Sequence, residues 1–139
     1  MARADRYTEL TAKEEVYSDF LTNMTKHPVS GMLLRFTNEK AVTRSIRNLI
    51  NTNPGERLYQ PTIGSGIRNL LFEPISPVTT NALRKQIDYT IRTYEPRALI
   101  VDIKVAPIEE RNLYVVEIIY MLINRQEPIS VNITLQRVR

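Results

Sequence analysis

The sequence predicts an α+β fold: an antiparallel three- to four-stranded sheet with two main helices packed on one face. Three observations predict it. From Ala98 onward, apolar residues recur at every second position in three runs. Before them, two segments repeat apolar residues at helical spacing and stop at prolines. The last two strand-like runs are joined by the short stretch Asn124 to Pro128, which favours antiparallel neighbours over a crossover.

Length and composition set the frame. The 139 residues suit one domain with one core, and 42% hydrophobic with 24% charged residues is a globular balance. There is no cysteine, so disulfides, thiolate zinc sites and cysteine nucleophiles are excluded. No apolar run approaches the roughly 20 residues that span a bilayer, and the N-terminus lacks the apolar stretch of a signal peptide, so a soluble, unprocessed protein with no membrane partner is expected. The formal charge is +4, from 19 basic and 15 acidic residues that are intermixed. A dense basic stripe with interleaved aromatics is missing, and no nucleic-acid partner is expected.

Residues 1–30 read as a polar arm, partly extended, and 31–139 as the domain. Val16, Phe20 and Met24 recur at every fourth position as on a helix, while Tyr17-Ser18-Asp19-Phe20 fits an extended segment equally well. Met32 to Phe36 is expected to form a short strand. Thr37 or Asn38 then caps a helix that turns Ala41, Val42, Ile46, Leu49 and Ile50 to one side and Lys40, Arg44 and Arg47 to the other. That cationic side is either a solvated face or a partner surface.

The helix ends before Pro54, where Asn53-Pro54-Gly55-Glu56-Arg57 has turn chemistry. Gly64-Ser65-Gly66 is not a P-loop, because Ile67-Arg68 follows where Lys-Ser/Thr is required. The second helix has Ser76 as its N-cap and Pro77 in the first turn, where a missing N–H costs nothing. Leu83, Ile87, Ile91 and Tyr94 form its apolar side, Arg84, Lys85, Asp88 and Arg92 its polar side, and Pro96 stops it.

Three strands follow. Leu99, Val101, Ile103 and Val105 are expected to share a face, with Asp102 and Lys104 opposite. Tyr114, Val116, Ile118, Tyr120 and Leu122 mark a central strand. Ile129, Val131, Ile133 and Leu135 mark the last one, which is expected at an edge that another chain's strand could extend, unless Arg137 and Arg139 or the arm blunt it.

Chemistry is sparse. His27 is the sole histidine, beside Pro28 with no Ser or Asp placed to make a triad, and the Asp-x-Asp-x-Asp-Gly pattern of a calcium loop is absent. Glu56, Glu73, Asp88 and Glu95 could supply a glycosidase pair, but no spacing singles out two of them. No catalytic residue, cofactor or metal is expected.

The motifs Ala41-Val42, Ser45-Ile46-Arg47-Asn48-Leu49-Ile50, Thr52-Asn53-Pro54-Gly55-Glu56-Arg57, Pro61, Ile63-Gly64, Leu71-Phe72-Glu73-Pro74 and Tyr94-Glu95-Pro96-Arg97 occur in that order. Together they resemble the small baseplate wedge proteins, or sheath initiators, of contractile-tailed phages and type VI secretion baseplates, over about residues 31–139. Ile63 stands where that family often has an aromatic.

The resemblance implies a structural virion protein of the tail baseplate, assembled in the host cytoplasm in six copies, with other wedge proteins and the tail sheath protein as partners. It implies partner binding by Glu95, Pro96 and Arg97, with Arg57, Phe72 and Glu73, and sheath strand exchange along Val131, Ile133, Leu135 and Arg137; the alternative for Glu95-Pro96-Arg97 is a helix stop with an internal ion pair. On the partner-binding reading, alanine at Glu95 or Arg97 leaves the fold intact and weakens assembly. The alternative is a peptidoglycan hydrolase, suggested by the lysozyme-like label that some family members carry.

Overall fold

The computed structural model describes residues 16–21, 23–123 and 125–137. The expectations for the arm before Val16, including Tyr7 and Leu10, and for Arg139 lie outside these residues. Element order is β1 (Ser18–Phe20), β2 (Arg35–Thr37), α1 (Asn38–Asn51), α2 (Ile67–Leu70), α3 (Pro77–Tyr94), β3 (Ala98–Ile108), β4 (Leu113–Leu122) and β5 (Pro128–Gln136). The predicted α+β class holds. β3, β4 and β5 form an antiparallel meander with β4 in the centre, and β1 pairs with β2 in a separate two-stranded sheet.

Both main helices contribute to one core. Val42, Ile46 and Ile50 of α1 and Leu83, Ile87 and Ile91 of α3 pack with Tyr114, Val116, Ile118 and Tyr120 of β4 and with Val131, Ile133 and Leu135 of β5. The α3 trio is wholly buried, and each such side chain stabilises the fold by about 1.5 to 3 kcal/mol relative to exposure. Pro77 opens α3, and Ser76 Oγ accepts from Thr79 N at 3.1 Å, as its cap position requires.

Three expectations are corrected. First, Leu99 and Val101 do not join Ile103 and Val105 on the core face; they are about half exposed. The register of β3 against β4 shifts between Ile100 and Asp102, leaving Val101 as an extra residue. This β-bulge reverses the phase, so Ala98 and Ile100 face inward before it and Ile103 and Val105 after it. Second, the strand expected at Met32 starts only at Arg35, and it pairs with Ser18–Phe20, which settles that segment as extended and not helical. Third, Thr37 occupies the N-cap position of α1 without a side-chain cap bond.

Asn38 has another task. It takes φ +49°, a left-handed conformation that Asn tolerates better than most residues, and its Oδ1 accepts from Val16 N at 2.9 Å and Tyr17 N at 3.3 Å. Its own N–H donates to Tyr17 O at 2.7 Å, so one residue ties the arm to the start of α1. Sequence reading also missed α2, which follows Gly66 at φ +59° and buries Ile67. At Gly64 a side chain has no room: a Cβ there would lie 2.5 Å from Pro54 N.

Candidate docking site

The C-terminal end of α3 carries Glu95, the one buried charged side chain among the described residues. Glu95 N donates to Ile91 O at 2.8 Å, closing the helix, and Glu95 O accepts from Ala98 N at 3.1 Å, closing a four-residue turn into β3. Pro96 fills the second position of that turn, where its fixed φ is favoured, and it is exposed.

The turn folds the motif back on itself. Arg97 Nε and Nη2 donate to Glu95 Oε1 and Oε2 at 2.5 and 2.7 Å, a two-pronged charge-assisted pair. Glu95 is 2% exposed, whereas the Arg97 side chain is 37% exposed and its guanidinium lies 5.3 Å from the centre of the Tyr17 ring. Burial, the largest single influence, pushes the Glu95 carboxyl up. Hydrogen bonds from Arg97 and Ser45, with the guanidinium charge, outweigh it and hold the pKa below the ordinary carboxylate value. The carboxylate keeps the Arg97 pKa raised in return.

Nearby groups extend the network. Tyr120, central in the sheet, places its hydroxyl 2.8 Å from Thr43 Oγ1 of α1, and Arg125 in the β4–β5 connection donates to Glu39 Oε1 at 2.6 Å. Tyr94 Oη donates to Thr62 O at 2.6 Å, tying the loop that contains the exposed Arg57 to this end of α3.

The remaining residues expected at a docking site are elsewhere. Phe72, 54% exposed, and Glu73 lie in the connection that leads into the N-terminus of α3. The 18-residue helix separates them from Glu95 by roughly 27 Å at 1.5 Å per residue. Glu73 and Glu95 therefore cannot be the carboxylate pair of a glycosidase, which needs a separation of about 5 to 10 Å. Asp88 is paired with Arg92 at 2.9 Å, and Glu56 caps its own turn through Asn53 N at 2.9 Å and Asn53 Nδ2 at 2.7 Å. His27 Nδ1 accepts from Val29 N and Ser30 N, both at 3.2 Å, which is a turn-forming role.

On β5, the alternation turns Val131, Ile133 and Leu135 into the core, with 3 to 6% exposure. Arg137 N donates to Asn112 O at 2.9 Å. β5 has β4 as its sole neighbour among the described residues, so its free edge offers backbone groups and not those side chains.

The turn thus consists of a buried carboxylate held by its own neighbour behind an exposed proline. Residues 37–127 match the family described as baseplate wedge protein gp25, and the chain belongs to that family. It is therefore a structural baseplate protein of a contractile tail.

A curated relative named baseplate wedge protein gp25, from Enterobacteria phage T4, is 28% identical over 91 residues, covering 66% of this chain and 69% of that protein. Two solved structures share the fold at lower identity. A Geobacter sulfurreducens chain provisionally named a tail lysozyme aligns with a TM-score of 0.71 and 22% identity, over 78% of this chain and 97% of that one. A chain of the anti-feeding prophage baseplate aligns with a TM-score of 0.61 and 21% identity, over 88% and 87%.

Proposed function

We propose that this chain is a non-enzymatic wedge subunit that docks on the wedge core through the Glu95-Pro96-Arg97 turn and provides the sheet on which the tail sheath starts. The observation that carries the reading is the Glu95–Arg97 lock. It holds Pro96 and the outer part of Arg97 as a rigid, half-exposed projection, so little conformational freedom is lost when a partner seats on it.

Glu95 acts here from behind. Its carboxylate is already occupied by Arg97 and Ser45, so it orients the guanidinium and does not itself reach a partner. Arg57 belongs to the loop that Tyr94 ties to this end of α3 through Thr62; Phe72 and Glu73, at the other end of α3, would meet a second neighbour. In this reading six copies surround the baseplate, assembled in the host cytoplasm. A sheath strand adds along the β5 edge by backbone hydrogen bonds, with Arg137 at the end of the ladder.

The experiment is recovery of co-expressed wedge proteins on the wild-type chain and on a variant that carries Glu95→Gln and Arg97→Gln together. Removing both charges avoids stranding a buried carboxylate, so the fold, checked by circular dichroism, should survive while recovery falls at least tenfold. Equal recovery would remove docking from this turn. For the sheath role, baseplates assembled without the chain should not nucleate sheath until it is added back; equal sheath growth in its absence would end that part of the proposal.

A further inference from the structure

The outward side of α1 presents three cations at positions 40, 44 and 47, one face of the helix at i, i+4 and i+7 spacing. Arg84, Arg92, Lys104 and Arg125 each have a carboxylate partner; among the described residues, Lys40, Arg44 and Arg47 have none. Glu39, the acid in the first turn of α1, is paired with Arg125. Like charges this close repel, so α1 is less stable with this face bare than with it neutralised.

The face is also shaped. Phe36, Lys40, Thr43, Arg44, Arg47 and Asn48 line a groove of about 450 Å³. Arg44 lies 5.1 Å from the centre of the Phe36 ring. Stacking on the ring orients the guanidinium without neutralising it, and leaves its in-plane N–H donors available to a carboxylate.

We propose that this groove receives an acidic segment of a neighbouring baseplate protein. Two or more of its carboxylates would pair with Arg44, Arg47 and Lys40, and an apolar side chain would rest on Phe36. The charge pattern selects the partner: Lys40 and Arg44 are separated by roughly 6 Å along the helix, a distance that acids on successive turns of a helix or on alternate residues of an extended segment can match. This surface is additional to the Glu95-Pro96-Arg97 turn, and the inference rests on the chain being a baseplate subunit.

The test uses purified baseplates that contain the full chain, treated with a water-soluble carbodiimide. This reagent joins a lysine amine to a carboxylate in direct contact, and the linked peptides are read by mass spectrometry. The expected product joins Lys40 to an Asp or Glu of another baseplate protein. Its yield should fall at least tenfold in baseplates carrying Arg44→Glu and Arg47→Glu, while the amount of chain per baseplate stays within twofold.

If Lys40 is linked only to carboxylates of its own chain, or is not linked, the acidic-partner assignment is overturned. The same holds if an ultraviolet-crosslinked nucleic-acid fragment is recovered on the α1 peptide instead. A chain absent from purified baseplates would overturn the structural role itself, and is distinguished by its missing band.

Discussion

Tyr114 and Tyr120 lie on the same strand, face the same core and are both wholly buried, but their hydroxyls meet different surroundings. Tyr120 Oη bonds to Thr43 at 2.8 Å and lies 3.4 Å from Glu39 O, beside the Glu95–Arg97 pair. At the other end of β4, Tyr114 Oη and the buried Arg137 Nε make no hydrogen bond of ordinary geometry among the described residues, although the Thr80 side chain and the Arg137 and Glu73 charges lie close enough to act on the phenol. At Tyr120 a directional bond ties the sheet to α1; at Tyr114 no such bond is made, and the packing of the ring holds it in place. Rigid presentation of a surface needs the first, because directional bonds fix orientation where hydrophobic contact fixes only proximity.

The sharpest test of this contrast is Arg97→Ala. It leaves the Glu95 carboxylate buried without its main partner and should destabilise the protein by about 2 to 3 kcal/mol, less than for a fully buried pair because water can replace a side chain that is 37% exposed. Urea unfolding measures it. A loss below about 0.5 kcal/mol would show the Tyr120 end to be no stiffer than the Tyr114 end. On this expectation the variant loses stability as well as any interface, whereas the reading from sequence expects the fold to stay intact, and the urea curve decides between them.

Acid should act at the same place. The pKa of Glu95 is lowered in the folded state, so its contribution is present above the ordinary value of 4.5 and is lost as pH falls through the lower, folded value. Glu95→Gln should flatten the fall in stability below about pH 4.5, read as melting temperature against pH; an unchanged acid limb would put the loss elsewhere.

The smallest effects come from the tyrosines themselves. Tyr120→Phe should cost about 1 kcal/mol, and Tyr114→Phe should be neutral within about 0.5 kcal/mol, since no bond is lost there. Equal costs in calorimetry would erase the distinction between the two ends.

These differences also mark what the sequence could reveal. α3 was legible because Ser76, Pro77 and Pro96 punctuate it locally, and β4 and β5 because an unbroken alternation admits one phase. β3 was misread because Leu99-Ile100-Val101 is apolar throughout, and a bulge inside such a run leaves no periodic trace. The Glu95-Pro96-Arg97 motif could be recognised, and an internal ion pair at a helix stop was one of its two readings; the sequence did not choose between them, because the pairing depends on a turn that swings residue 97 back over residue 95. Tyr17 as the cover of Arg97 was out of reach for the same reason, since it rests on Asn38 adopting a left-handed conformation 21 positions away.

The meander has a consequence for the order of events in assembly. The whole main sheet comes from one continuous stretch, Ala98 to Gln136, and each strand pairs with the next along the chain. Closing such short loops costs little entropy, and hairpins of this kind form in roughly 1 to 10 μs. No strand of the main sheet needs a distant segment or another subunit to supply its pairing partner. The chain can reach the growing particle already folded, so its encounter with a neighbour is a collision of finished surfaces, and the rate of incorporation should follow subunit concentration and not folding.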